Sequence, residues 1–316
     1  VSSLGELRTI AKQTKAQKSE KRAKRTYRDN KAGFVFMLPW ITGFFVFTVG
    51  PMLVSLYLAF TDYSLLQPPQ WTGLDNFTRM WGDERLWKSL EVTFIYVFVS
   101  VPFVLALALA VAVLLDRGMR GLSFYRSVFY LPSLMGGSVA VAILWRQVFG
   151  YDGIVNGFLG LFGIQGPGWV AHPDYALGTL IVLNIWTFGS PMIIFLAGLR
   201  QIPDMYYEAA NVDGAGKVRQ FFTITLPLLT PIIFFNLVLQ TIFAFQNFTQ
   251  AYVVSGGTGG PSDSTLFYTL YLYQQAFNSP MQMGYASAMA WLLVLFIGGL
   301  TAVNFWLSKY WVFYDD

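Results

Sequence analysis

Cysteine is absent from the 316 residues and histidine occurs once, at His172. The first absence excludes a disulfide framework, a thiolate nucleophile and a cysteine metal site, and the second leaves too few imidazoles for a metal or acid–base cluster. Charge is scarce as well, with 12% of residues Asp, Glu, Lys or Arg. The long apolar blocks contain no Asp and no His, and their only Glu is Glu91, at the edge of the second. An enzyme at a membrane needs paired carboxylates, a metal cluster or an activated nucleophile. A proton-coupled transporter needs an ionisable relay inside its spans. Both readings are weakened; an intramembrane transferase would have only the isolated Asp116 and Asp204 to work with. Residues 255–263, S-G-G-T-G-G-P-S-D, lack the Lys followed by Ser or Thr that a phosphate-binding loop needs, so no nucleotide or other cofactor is expected on this chain.

What the sequence has is apolar surface: 55% hydrophobic and 18% aromatic residues, with a mean hydropathy of +0.49. That composition belongs to membrane proteins. A spanning helix needs roughly 20 apolar residues, and blocks of that size lie near 34–60, 90–115, 128–148, 177–199, 228–250 and 284–307. The expected fold is all-α and polytopic, with six transmembrane helices over 34–308 between a basic tail, 1–33, and a short tail, 309–316. Of the 21 Lys and Arg residues, ten lie before Ala32, three in 116–127, three in 200–226 and one after Ser308. By the positive-inside rule these 17 face the cytoplasm, and so do both termini. The net charge of +4 therefore sits on a tail rather than on a nucleic-acid-binding face. The tail sets topology and is largely disordered, or it contacts anionic membrane lipid.

Prolines within the blocks (Pro39, Pro51, Pro102, Pro132, Pro191, Pro231) predict kinks. Gly136, Gly137, Gly189, Ala286, Ala290, Gly298 and Gly299 predict close helix approaches. Tryptophans at 71, 81 and 87 suggest an interfacial lid over 61–90, residues 151–175 a short interfacial helix, and 255–263 a flexible turn before the last span. Arg146 reads as snorkelling toward the outer interface, with a substrate role as the alternative.

Polar residues of another kind lie within the blocks. Asn236, Gln240, Phe243 and Asn247 are spaced by four, three and four, so they share a helical face with Gln246 beside it. Asn184, Thr187, Phe188 and Pro191 fall at helical spacing on the fourth block and would supply an opposite wall. A cross-helix hydrogen bond gains only about 0.6–2 kcal/mol, so a row of amides is weak glue and a wet cavity is the alternative. Neutral amides interleaved with flat rings suit a carbohydrate, amides for its hydroxyls and rings for its apolar faces. Ala244, in the same face, offers no hydrogen-bonding group.

The longest segment between apolar blocks, residues 202–227, reads I-P-D-M-Y-Y-E-A-A-N-V-D-G-A-G-K-V-R-Q-F-F-T-I-T-L-P. Pro203 and Asp204 suit the first turn of a short helix and Gly214 the left-handed residue that ends one, so two short helices joined at 213–216 are expected. On the second, Val218, Phe221, Phe222 and Leu226 make one apolar face, more than a tight loop requires. Such a face wants a partner; the plainer alternative is a solvated hairpin.

The pattern Glu208, Ala209, Ala210, Gly214, Ile224, Leu226, Pro227 resembles the EAA loop of the membrane subunits of binding-protein-dependent ABC importers. W-T-G-L-D-N-F at 71–77, G-M-R-G-L-S-F-Y-R-S-V-F-Y-L-P at 118–132, G-I-V-N at 153–156 and G-G-P-S-D-S-T at 259–265 look like the carbohydrate-uptake branch, specifically its first permease subunit. The resemblance implies a type I importer permease in a prokaryotic cytoplasmic membrane, not itself an enzyme. Its partners would be a second homologous permease, an ABC ATPase dimer carrying ATP and magnesium, and an extracytoplasmic solute-binding protein. It also implies that Glu208, Ala209, Ala210, Asp213, Gly214, Ala215, Phe221, Leu226 and Pro227 form the ATPase-coupling element, and that sugar meets Gln240 and Asn247 near the bilayer midplane. An ATP-independent sugar channel or facilitator is the competing expectation.

Overall fold

The computed structural model describes residues 33–116, 118, 121–278 and 280–313, so the basic tail up to residue 32 and the end of the 309–316 tail lie outside the described residues. The chain divides into two units, Val1–Tyr57 and Leu58–Asp316. The first unit carries nearly all of helix α1, Gly33–Leu58. Within α1, Phe45–Val49 winds as a π-turn, with Gly50 N–H donating to Phe45 O. Pro51 follows directly, and the wider turn accommodates a residue that has no N–H and whose ring would press on the carbonyl four residues back.

The second unit begins with a two-stranded hairpin, β1 (Thr61–Asp62) and β2 (Gln70–Trp71), then α2 (Asp75–Trp81). Asn76, from the W-T-G-L-D-N-F motif, closes this element by donating to Ala59 O at 3.0 Å and Thr61 O at 2.9 Å. Helix α3 (Glu84–Asp116) is the mast of the unit. Its buried residues Leu90, Val97, Val101, Val104, Ala108, Ala112 and Leu115 recur at helical spacing and take the packing of later helices. Then come α4 (Leu122–Met135), α5 (Val139–Val148) and the short α6 (Ile154–Gly160). Next are α7 (Pro173–Trp186) and α8 (Gly189–Leu199). The 202–227 segment forms α9 (Asp204–Val212) and α10 (Lys217–Gln220). A π-turn, Phe221–Thr225, follows and again immediately precedes a proline-containing turn, Leu226–Leu228. The chain ends with α11 (Thr230–Phe245), α12 (Thr249–Ser255), α13 (Tyr268–Phe277) and α14 (Met283–Ser308).

Among the described residues, five helical runs are long and apolar enough to cross a membrane, and α4 with α5 makes a sixth if that pair, bent by 97°, counts as one span. The third expected span is thus not the straight helix its apolar run predicts. Nor do the helix interruptions fall on prolines: Pro102 lies inside continuous α3, while the sharp break is at residues 136–138 and shallower ones, within runs that continue as single spans, are at 187–188 and 246–248. Close approach is likewise confined to some of the expected small residues. A Cβ on Gly189 would press on the Phe129 carbonyl and one on Gly136 on Thr187, whereas Gly137, Gly298 and Gly299 have open space within 4 Å.

Two further expectations change. Helix α13, buried through Tyr268, Leu270, Tyr271 and Ala276, stands between the 255–263 loop and the last span, where sequence gave no separate element. The loop itself is closed by hydrogen bonds: Thr265 donates to Gly259 O through both N and Oγ1 at 2.8 Å, and Asp263 pairs bidentately with Arg85 at 2.8 and 2.9 Å. Around 151–175 the short helix is present, and Asn156 organises it, donating to Tyr151 O and Pro167 O at 2.9 Å and accepting from Trp169 Nε1 at 2.7 Å. Arg146 reaches Val253 O at 3.4 Å.

Candidate functional site

The three helix breaks open on one place. Gly137 from the first, Thr187 from the second and Gln246, Asn247 and Phe248 from the third line a cavity of about 500 Å³. Glycines 136 and 137 leave α4 without side chains to bury, and Ser138 starts α5 by accepting from Val141 N–H at 3.3 Å. Thr187 ends α7 by turning its hydroxyl back to Asn184 O at 2.7 Å. Interrupted backbone within a bilayer is tolerated where it lines a cavity and neighbours supply partners. Here they do. Ser133 Oγ donates to Thr187 O at 2.8 Å, Gln250 Nε2 to Gly136 O at 3.0 Å and Thr269 Oγ1 to Asn247 O at 2.5 Å.

Of the residues expected here, Gln240, Phe243, Asn247, Asn184 and Thr187 line the cavity, as does Gln246. Asn236 and Phe188 do not. Asn236 is 1% exposed and donates to Ile232 O in its own helix at 3.0 Å. Phe188 is buried against Phe129, ring centroids 6.0 Å apart. Ala244 is 5% exposed and turned into the packing, so its missing hydrogen-bonding group has no bearing on the wall. The lining residues that spacing does not mark are Tyr96, Ser133, Ser190, Phe248, Thr249 and Gln250, together with Gly137, expected to pack against a neighbouring helix. Tyr96, Ser133 and Ser190 carry hydroxyls with no neighbouring amide at helical spacing to mark a shared polar face. The F-Q-N-F-T-Q run at 245–250 did carry a signal, four polar side chains in six residues being poor composition for an uninterrupted spanning helix.

Among the described residues, none that lines the cavity is charged. Asn184 Nδ2 donates to Ser100 Oγ at 2.9 Å and Asn247 Nδ2 to the Tyr96 hydroxyl at 2.7 Å. Asn247 Oδ1 is buried with no partner, so this amide retains hydrogen-bonding capacity that the protein does not use. Neutral amides, hydroxyls and the Phe243 and Phe248 rings can hold a neutral polyol by hydrogen bonds and ring stacking.

The second feature is the 202–227 hairpin. Pro203 precedes α9, Asp204 opens it, and Gly214 has φ +73, the left-handed conformation that turns the chain. Ala215 N–H reaches back to Ala210 O at 2.9 Å, closing the turn. Gln220, 2% exposed, pins the two arms by donating to Asn211 Oδ1 at 2.7 Å and Ala215 O at 2.8 Å. Tyr207 and Thr225 hydroxyls meet at 2.9 Å. Glu208, Ala209, Asp213 and Gly214 are exposed, and Ala210, Ala215, Phe221, Leu226 and Pro227 half-buried. Glu208 makes no ion pair with another described residue. The expected apolar face is unevenly covered: Val218 and Phe222 are 73% and 60% exposed, while Phe221 and Leu226 are half-buried. Val218, Phe221 and Phe222 border a hollow of about 880 Å³ against Ala106, Leu109 and Val113 of α3.

Comparison with known proteins places these features. Residues 83–311 match the family model described as binding-protein-dependent transport system inner membrane component. The probable ABC transporter permease protein YesP of Bacillus subtilis is 56% identical over 298 residues, 94% of this chain and 96% of that protein. The lactose transport system permease protein LacF of Rhizobium radiobacter is 33% identical, covering 93% of this chain and 99% of that one. A chain of the bacterial alginate ABC transporter, solved with an alginate pentasaccharide-bound periplasmic protein, superposes with a TM-score of 0.75 over 87% of this chain and 93% of its own; at 20% identity it shares the fold. The match takes in α3, the three helix breaks and the exposed hairpin together, and this multi-pass chain is a member of the binding-protein-dependent transport system inner membrane component family.

Proposed function

We propose that the chain is a permease subunit of an ATP-driven ABC importer and forms half of the path that carries a saccharide across a prokaryotic cytoplasmic membrane. The observation that carries the substrate class is the uncharged wall of amides, hydroxyls and aromatic rings around the 500 Å³ cavity. A homologous second permease supplies the other half of the path. Both termini and the 202–227 hairpin face the cytoplasm, a reading supported by the Lys and Arg distribution. There the hairpin docks in a cleft of an ATPase dimer that holds ATP and magnesium, with Glu208 meeting a basic residue. Closure of that dimer moves the hairpin as a lever. The Gln220 clamp makes α9 and α10 one body, so the displacement passes through the 221–228 turns to α11, whose far end walls the cavity. A solute-binding protein delivers cargo at the opposite end, over β1, β2, α2 and the 255–263 loop.

The test is affinity purification from native membrane of wild type, Glu208→Lys and Gly214→Asp. Recovery of a second permease and a nucleotide-binding subunit, the latter weakened in both variants, supports the reading. Recovery of the chain alone, unchanged by either substitution, with saccharide flux in vesicles lacking ATP, would favour a facilitator instead.

A further inference from the structure

We propose that Thr269, on α13 and outside the cavity, is a positioning residue for the cavity wall. The break at 246–248 leaves the Asn247 carbonyl outside both α11 and α12, and Thr269 Oγ1 donates to it at 2.5 Å. That bond fixes the peptide from which the Asn247 side chain projects, and with it the amide that meets the Tyr96 hydroxyl and keeps one unpartnered polar atom. The proposal deepens the saccharide reading, since it makes the register of the wall depend on a residue that touches no cargo.

Helix α13 is built to hold that register. Tyr268 N–H donates to Thr93 Oγ1 at 2.9 Å and the Tyr268 hydroxyl to Met289 O at 2.8 Å, tying α13 to α3 and α14. Tyr271 bonds Asp83 at 2.7 Å, and Gln274 bonds Gly257 O at 2.9 Å. Against the break itself α13 otherwise presents a ring, Tyr273, 5.1 Å from Phe248. Ring contact excludes water but leaves the chain free to slide; a short hydrogen bond to a carbonyl with no helical partner does not. Loss of the Thr269 hydroxyl frees the break while α13 stays anchored at its other contacts.

The absence of cysteine makes the test direct. Thr249→Cys, at the start of α12 on the cavity wall, reports the break, and Ile185→Cys, half-buried in α7, serves as control. Labelling by N-ethylmaleimide is timed on the assembled complex in native-lipid vesicles, so no transported sugar is required and the result stands apart from the saccharide reading. Thr269→Val is expected to speed labelling at 249 by about threefold or more, Thr269→Ser to keep the wild-type rate, and the control to be unchanged by either. Equal rates for wild type and Thr269→Val, equal acceleration at the control, or failure of Thr269→Ser to restore the rate overturns the proposal.

Discussion

The hydroxyl of Tyr271 lies 2.7 Å from Asp83 Oδ2, joining α13 to the residue that precedes α3 across 188 positions of sequence. The same oxygen accepts from the Tyr285 hydroxyl at 2.7 Å, and Asp83 Oδ1 accepts from Leu86 N–H at 3.1 Å, capping α3. One carboxylate therefore ties α3, α13 and α14 together at one end of the bundle. Asp83→Ala is expected to lower stability by roughly 2–4 kcal/mol through loss of the cap and of two charge-assisted bonds. Asp83→Asn keeps the cap and should fall about midway. Thermal midpoints in detergent, compared across the three proteins, check the order.

The pH dependence of that tie follows from the tyrosine. Burial first, and then the bond to Asp83, push the Tyr271 hydroxyl above its ordinary 10.0. A group raised in the folded state lends its full stabilisation below its unfolded pKa and loses it as pH climbs toward the folded value. Thermal midpoints should thus be insensitive to this contact from about pH 6 to 9 and decline only above about pH 10. In Tyr271→Phe the alkaline decline should be shallower.

Gly214 separates conformation from contact. Its φ is +73 and a Cβ there meets nothing within 4 Å in this chain, so backbone strain is the only cost that a small neutral side chain has within the chain, whereas an Asp adds a charge to the docking face. Gly214→Asn, which tolerates this region, should keep most cargo-stimulated ATPase activity, while Gly214→Val should lose it, a β-branched residue being strained there by about 1–2 kcal/mol or more. Activity of the reconstituted complex distinguishes them; equal loss in both would mean the side chain, not the turn, is at fault.

Asn247 and Asn236 lie on one helical spacing but should fail differently. Asn247→Ala removes an amide from the cavity wall and is expected to raise the half-saturating concentration for uptake about tenfold, corresponding to about 1.4 kcal/mol, with little change in purified yield. Asn236→Ala should leave that concentration alone. Uptake kinetics set beside yield from the same membranes reads both.

Gly189 and Gly298 make a matched pair on two spans. A Cβ on Gly189 meets the Phe129 carbonyl and Tyr130 Cα, main-chain atoms that cannot swing aside, whereas Gly298 has free space. Gly189→Ala should cost roughly 1–3 kcal/mol and Gly298→Ala nothing measurable, read by yield and thermal midpoint of the assembled complex.

The spans, the hairpin and the amide part of the cavity wall were legible because each has a local signature: apolar run length, the proline and glycine that bound α9, amides repeating on one face. The helix breaks were not, because prolines draw attention to themselves while the chain actually parts at Gly136, Thr187 and Gln246, where side chains distant in sequence donate to the freed carbonyls. Ser133, Gln250 and Thr269 look like ordinary polar residues until the carbonyls they serve are brought beside them. Helix α13 escaped notice for a related reason. It is too short to span and too mixed to stand out, and its burial depends on Asp83 and Thr93, far back along the chain.

A cavity walled by three chain breaks has a frame of peptide groups, one held from behind by Thr269 and two held by Ser133 and Gln250, which also line it. Exchange of a residue at 243, 246 or 247 alters what a guest meets without disturbing the main-chain bonds that keep the wall in place. Descendants of one ancestral chain could in this way come to carry different cargoes through a handful of substitutions, with the helices around them left as they were.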